Sequence, residues 1–183
     1  MKKLALALAA GALALNSPAL AEMNITTIET VEAKQTSTEL ADEAYADFVM
    51  QFDRTSLKPN SYVWDAKGVS GEARVVVSLD RQMAFAYKGD TLVGAASVST
   101  AKEGKLTPKG IFPIWLKKPM HYSSKYDNAP MPYMQMIDKY GIALHAGHNP
   151  GYPASAGCIR LPQQFAKNLY GITSLESTVY IGA

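Results

Sequence analysis

The sequence has only one cysteine, Cys158, so the chain has no second thiol with which to form an internal disulfide. It also lacks a marked excess of charge, because 18 lysines and arginines stand against 16 aspartates and glutamates. A chain this close to neutrality gives no sign of the extended basic surface that binds nucleic acid. We therefore expect no nucleic-acid partner. Cys158 is an intermolecular bridge, a buried inert thiol or a reactive thiol.

Long hydrophobic runs are also scarce, and the longest of them covers residues 4–15. About 20 apolar residues are needed to span a bilayer as a helix, so this run is too short for an anchor. Two lysines precede it, and Ala19 and Ala21 follow at the positions that signal peptidase reads. The pattern predicts a secretory signal peptide over residues 1–21, no transmembrane segment, and a protein exported to the periplasm or cell envelope.

Residues 22–71 are predicted to form a flexible leader, a helix and a connector. The leader, residues 22–36, is polar and has no apolar periodicity. Apolar residues recur at every fourth position through residues 38–52, which predicts a helix capped by a serine or threonine at its start. Glycine, proline and asparagine mark residues 57–71 as a connector. The helix is expected either to pack on the following domain or to extend from it.

Residues 72–183 are predicted to form a mainly β domain, because short segments rich in valine or aromatic residues follow one another between turn signals. The predicted strands cover residues 73–79, 83–87, 91–100, 111–116, 140–144 and 178–181. A helix is predicted over residues 161–170, and residues 117–139 are predicted to be a long loop. The fold class is therefore a β-sandwich or barrel with one or two short helices, preceded by the N-terminal helical segment.

The candidate chemistry lies in a glycine- and proline-rich stretch that contains His145 and Cys158. A thiol becomes a nucleophile when a histidine takes its proton, and a turn-rich return allows these two side chains to meet. Gly157 permits a tight turn before the thiol, so that the Gly157 and Cys158 amides can point at a developing oxyanion. The helix predicted from residue 161 favours the thiolate of Cys158. Arg160 is suited to holding a substrate carboxylate or carbonyl.

Each of these residues also has a structural interpretation. Cys158 alone could be a small buried apolar residue, and His145 alone could be a hydrogen-bonded structural histidine. His148 is interpreted as an exposed loop residue. A zinc site built from Cys158, His145 and His148 would need the distant His121 as its fourth ligand. We therefore expect no metal site and no cofactor.

Taken with the segments around them, these residues resemble the L,D-transpeptidase catalytic domain of the YkuD type. The resemblance covers roughly residues 73–182, and its most specific part is an H…S-x-G-C-x-R signature formed by residues 142–147 and 155–160. Residues 75–87 are similar to the family's first hairpin. Residues 97–112 are similar to its second strand and the following T-P-x-G-x-F element. Residues 128–135 are similar to the long loop beside the active site.

The resemblance implies a β-rich fold and a two-step acyl transfer on peptidoglycan stem peptides. Cys158 would attack the carbonyl of the third residue of a stem tetrapeptide, D-alanine would leave, and an amine from a neighbouring stem would take the acyl group. His145 matches the family's base, oriented by the main-chain carbonyl of Ala146 or Gly147, and Gly157 matches its oxyanion hole. The residues matched to substrate binding are Arg160, Ser155, Tyr133 and Ala146. Carbapenems are implied as inhibitors.

One position departs from the common pattern, because many relatives have histidine where this chain has Ala156. The change removes a polar side chain beside the oxyanion site. Three hypotheses for the function therefore stay open. The protein is a transpeptidase, an L,D-carboxypeptidase or endopeptidase with water as the acceptor, or a non-catalytic peptidoglycan-binding domain on the same fold.

Overall fold

A computed structural model describes residues 26–183, and within them the regular structure consists of two β-sheets and two helices. The predicted signal peptide lies outside the described residues. The helices are α1 (Val31–Phe52) and α2 (Gln163–Ile172). The strands are β1 (Tyr62–Trp64), β2 (Ala73–Ser78), β3 (Met83–Lys88), β4 (Thr91–Ser97), β5 (Gly110–Pro113), β6 (Leu116–Tyr122), β7 (Pro130–Met136), β8 (Ala143–Ala146), β9 (Ile159–Leu161) and β10 (Thr178–Gly182). The predicted mainly β fold with an N-terminal helix is confirmed. Within residues 26–183, neither helix has the length and apolar character needed to cross a bilayer.

The larger sheet has six strands in the order β1-β4-β3-β2-β10-β5. Strands β2, β3 and β4 form the predicted meander, and Gly89, at φ +56°, lies in the turn between β3 and β4. The last strand, β10, is inserted between β2 and β5, parallel to the first and antiparallel to the second. Strand β1 lies in the predicted connector, and it pairs with β4 at the edge of the sheet instead of remaining irregular.

Helix α1 covers one face of the larger sheet. Its buried residues include Ala41, Ala44 and Phe48, which belong to one hydrophobic cluster with Val76 and Phe85 of the strands. The alanines leave room for a close approach, and Phe48 fills the space with a fully buried ring. Of the two expected arrangements, the helix therefore packs on the domain and does not extend from it.

The helix also begins earlier than expected. It starts at Val31, and Thr30 caps it by accepting a hydrogen bond from the Ala33 amide at 3.2 Å. The prediction of a flexible leader is therefore wrong over residues 31–36. The buried face of this first part is formed by Ala33 and Ser37, which are too small or too polar to produce an apolar period in the sequence.

The smaller sheet has four strands in the order β6-β7-β8-β9. Residues 117–139 were expected to be a loop, but most of them form the antiparallel hairpin of β6 and β7. The predicted strand at residues 111–116 is divided, because β5 belongs to the larger sheet and β6 to the smaller one. Strand β6 contains two lysines and Pro119 and is largely exposed, as an edge strand can be, and so it shows no alternating pattern.

The main core lies between the sheets and includes the buried face of α2, with Phe165, Ala166 and Leu169. Helix α2 begins at Gln163, after Pro162 in the N-cap position, whereas residue 161 was expected to be its start. Strand β9 therefore separates Cys158 from the helix, and the expected stabilisation of a thiolate by the helix N-terminus does not apply.

Gly182 and Gly171 offer a matched pair of glycine substitutions. A Cβ at Gly182 would lie 2.4 Å from the Ser37 oxygen and 2.6 Å from the Thr38 Cα of α1, whereas one at Gly171 meets nothing within 4 Å. We expect Gly182→Ala to lower the free energy of unfolding by about 1–3 kcal/mol through overpacking. Gly171→Ala should raise it by about 0.5–1 kcal/mol, because alanine favours a helix. Urea denaturation of both variants measures this, and equal shifts of the two midpoints would contradict the close contact of α1 with β10.

Candidate active site

The candidate residues lie on two adjacent parallel strands, β8 and β9. Leu144 is paired with Ile159, and His145 is paired with Arg160. Because side chains alternate across a sheet, Leu144 and Ile159 face the main core while His145 and Arg160 face the opposite side. Cys158, one residue before β9, lies on that side too. All three candidate side chains therefore line one cleft, which has a volume of about 1130 Å³.

Cys158 is partly buried, and its thiol is held by main-chain groups. Its Sγ lies 3.6 Å from the main-chain oxygen of Gly141, to which the S–H donates. Burial raises the pKa of Cys158, and the nearby Asp138 carboxylate adds to the rise, while the Ala143 amide and the Arg160 guanidinium oppose it. At neutral pH the resting group is consequently the thiol, which needs a base before it can act as a nucleophile.

His145 has the properties of such a base. It is 7% exposed, and its Nδ1 lies 2.8 Å from the main-chain oxygen of Ala146. A carbonyl oxygen can only accept, so Nδ1 carries the hydrogen and Nε2 of the neutral ring has a free lone pair. Burial lowers the pKa of His145, the hydrogen bond to Ala146 opposes this, and Arg160 adds to the lowering. The neutral imidazole is therefore the resting form.

Ser155 holds the loop that leads into Cys158. Its hydroxyl donates to the Cys158 oxygen at 2.6 Å and accepts from the Gly157 amide at 3.0 Å. Its own main chain is paired with the segment after β4, where its amide donates to the Thr100 oxygen and its oxygen accepts from the Lys102 amide. Ser155 was matched to substrate binding, but its hydroxyl is used within the loop.

Gly157 is required by both conformation and space. Its φ is +140°, and a Cβ here would lie 2.4 Å from Cδ1 of Ile142 and 3.0 Å from the Leu106 oxygen. The Thr107 hydroxyl fixes its carbonyl at 2.7 Å. Because the Gly157 amide donates to Ser155, it is already engaged, contrary to the expected pair of oxyanion donors. Among the described residues no hydrogen-bond acceptor is found for the Cys158 amide, which is therefore the better donor.

Of the remaining predicted residues, some line the cleft and one does not. Arg160 lines the cleft, and its side chain runs past Gly147, where a Cβ would lie 3.1 Å from Arg160 Cγ. Ala146 also lines the cleft, and so does Ala156. Tyr133 does not: its ring lies 6.0 Å from that of Tyr170 of α2, and it packs against the main core. Nothing in its position supports a substrate contact.

Several residues that shape the site were not singled out from the sequence. Thr107 belongs to the T-P-x-G-x-F element, which was matched to the family without a role for this threonine. Asp138 accepts from the Tyr140 and Ile142 amides at 2.9 and 2.8 Å, and so builds the turn that presents Gly141 to the thiol. An aspartate two residues before a tyrosine–glycine pair is a recognisable turn signal.

Asn60 was also missed, because it lies far from the site in sequence and inside the predicted connector. Its amide nitrogen donates to the Asn149 oxygen at 2.7 Å, and its amide oxygen accepts from the Asn149 nitrogen at 2.9 Å. This double contact holds the loop between His145 and Cys158. Within residues 26–183, no three histidine, cysteine, aspartate or glutamate side chains are grouped as metal ligands.

Comparison with known proteins identifies the family of the chain. The family model for the YkuD L,D-transpeptidase catalytic domain matches residues 72–181, and the chain belongs to this family. The search of curated protein sequences gave no match.

Solved structures with a similar fold include proteins described as L,D-transpeptidases. That of Stackebrandtia nassauensis is 26% identical, with a TM-score of 0.57 over 74% of this chain and 64% of its own. That of Xylanimonas cellulosilytica is 24% identical, with a TM-score of 0.54 over 62% of each chain. L,D-transpeptidase 3 from Mycobacterium tuberculosis, in complex with a faropenem-derived adduct, is 17% identical, with a TM-score of 0.56 over 61% of this chain and 60% of its own. The aligned part thus spans less than two thirds of the length of each of these three relatives.

Proposed function

We propose that this protein is a peptidoglycan L,D-transpeptidase that uses Cys158 as a covalent nucleophile. The observation that carries the proposal is that His145 of β8 and Cys158, the residue before the adjacent strand β9, line one cleft. The Ala146 carbonyl adds to it, because it leaves Nε2 of His145 as the basic nitrogen. The acyl donor is a stem tetrapeptide, and the thioester forms at its third residue.

In the first step, Nε2 of His145 takes the Cys158 proton while Sγ bonds to the carbonyl carbon of the third residue. The carbonyl electron pair moves to oxygen, and the free amide of Cys158 is placed to stabilise the resulting charge. When the carbonyl re-forms, the bond to the terminal D-alanine breaks and the imidazolium returns its proton to the leaving amine. In the second step, an acceptor amine attacks the thioester and regenerates the thiol.

The acceptor separates transfer from hydrolysis. The same thioester gives a cross-link with an amine and a shortened peptide with water. We propose the amine as the acceptor on the basis of family membership. Incubation with tetrapeptide alone and with an added amine acceptor distinguishes the two, since a transferase forms the cross-linked product in preference to the free tripeptide.

The test of the proposal is mass spectrometry of the intact protein after incubation with a purified stem tetrapeptide. We expect a mass increase equal to the tripeptide acyl group, together with released D-alanine. A protein that binds the tetrapeptide but never gains this mass would be a non-catalytic binding domain, and the proposal would be wrong. Carbapenems and penems should add covalently to Cys158 as well, since a relative is described with a faropenem-derived adduct.

We further propose that the protein acts in the periplasm or cell envelope, where its substrate is found. The support is the N-terminal pattern of two lysines, a short apolar run and small residues at the cleavage position. The exported protein is then expected to begin at Glu22. N-terminal sequencing of the protein from the envelope fraction checks this, and an uncleaved cytoplasmic product would contradict it.

A further inference from the structure

The cleft beside Cys158 carries positive charge without any negative charge. Its lining includes Lys102, Lys105, Lys125 and Arg160, but no aspartate or glutamate of residues 26–183. The chain as a whole is nearly balanced, with 18 basic and 16 acidic residues, so this asymmetry belongs to the cleft itself. The nearby carboxylate of Asp138 is buried and accepts two main-chain hydrogen bonds.

Two of these cations are attached to the loop that carries the nucleophile. The Lys102 amide donates to the Ser155 oxygen at 3.0 Å, and the Lys105 amide donates to the Lys102 oxygen at 2.9 Å. One tight turn therefore holds Lys102 and Lys105 beside the loop of Ser155, and both residues line the cleft. Lys125 lies on the hairpin of β6 and β7, where its Nζ donates to the Tyr140 oxygen at 2.6 Å.

Within residues 26–183, none of the cleft cations forms an ion pair. The ion pairs within residues 26–183 involve Arg74 and Arg81, which do not line the cleft. Like charges gathered along one concave surface repel one another and concentrate anions from solution. Glu103 lies between Lys102 and Lys105 in the same turn and is exposed, but it does not line the cleft, whereas both lysines do.

We infer that the cleft selects an acyl donor with free side-chain carboxylates in addition to its C-terminal one, and that Lys102 and Lys105 are specificity-determining residues for that charge. The inference rests on the proposed function and names the chemical form of its substrate. Amidation of such carboxylates keeps their size but removes their charge, so an amidated donor should be discriminated against by electrostatics and not by shape.

The test is equilibrium binding, which does not depend on catalysis. Cys158→Ala protein is titrated calorimetrically with a synthetic tetrapeptide that has diaminopimelate at the third position, with its side-chain carboxylates either free or amidated. We expect the free form to bind about tenfold more tightly at low salt, which corresponds to about 1.4 kcal/mol. Raising the salt concentration should reduce the difference, because these cations are partly exposed and screened.

Two double variants, both made in the Cys158→Ala protein, test whether Lys102 and Lys105 cause the preference for the free form. Lys102→Gln with Lys105→Gln should reduce the preference to about twofold, whereas Lys67→Gln with Lys109→Gln makes the same charge change outside the cleft and should leave it intact. Equal affinity for the two peptides, no binding of either, or a preference that survives in the cleft variant would overturn the inference. The proposed function is scored separately, by the mass increase of the wild-type protein.

Discussion

Cys158→Ala should abolish formation of the acyl-enzyme with the stem tetrapeptide, with a loss of at least about four orders of magnitude in turnover. The reason is chemical, because no other thiol exists in the chain and the proposed thioester has no alternative nucleophile. The measurement is intact-protein mass spectrometry beside a D-alanine release assay. Turnover of tetrapeptide by the variant at the wild-type rate would remove Cys158 from the mechanism.

The variant must stay folded for this result to be meaningful. Cys158 is partly buried against a small cluster with Met131, Met134 and Ala143, so truncation removes one sulfur atom from a limited contact. We expect a cost in unfolding free energy of about 1 kcal/mol, which leaves the fold intact. Circular dichroism and a denaturation curve provide the control.

His145→Ala should slow acylation by about 10²–10⁴-fold, the usual contribution of a positioned general base. The loss is expected to be large because burial raises the pKa of Cys158, so little thiolate exists at neutral pH without a base. Stopped-flow measurement of acylation by a carbapenem gives the rate directly. His148 lines the same cleft but is exposed, and His148→Ala should change the rate little. A larger effect at His148 than at His145 would show that His148, and not His145, is the base.

The pH dependence distinguishes a base from a residue that merely supports the structure. Burial lowers the pKa of His145 below its ordinary value of about 6.5, so the neutral ring persists to lower pH than usual. Wild-type acylation should therefore lose activity only as the pH falls below that value. In His145→Ala, the rate should follow the thiolate and rise about tenfold per pH unit toward the raised pKa of Cys158. A variant with the same flat profile as the wild type would show that His145 acts only structurally.

The candidate site could be predicted from the sequence because its signals are local. The turn-rich return between His145 and Cys158 and the glycine before the thiol lie within one stretch of chain, and their residue types are dictated by chemistry. Gly157 in particular has no alternative, since its φ of +140° strains any residue with a side chain, and a Cβ would lie only 3.0 Å from the main-chain oxygen of Leu106. The meander of β2, β3 and β4 could be predicted for the same reason, because hairpins are formed by neighbouring segments and marked by their turns.

Other predictions failed where distant parts of the chain meet. The first turns of α1 are buried through Ala33 and Ser37. The Ser37 hydroxyl donates to the Gly110 oxygen, and no local sequence pattern predicts such a long-range contact. Strand β6 is held by pairing with β7 and by little burial of its own, so its sequence resembles that of a loop. Helix α2 begins later than expected because Leu161 belongs to β9, where it is paired with Ala146 of β8.

By itself the sequence determined the mainly β class, the family signature and the identity of the candidate nucleophile and base, since these depend on residue types and short spacings. Only the tertiary structure decided the protonation of the pair, because burial raises the pKa of Cys158, lowers that of His145 and directs Nδ1 to the Ala146 oxygen. It also decided that the Gly157 amide is engaged by Ser155 and that four cations share one cleft. Hydrogen bonds, desolvation and charge depend on which atoms are neighbours in space, and strand pairing between distant segments sets those neighbours.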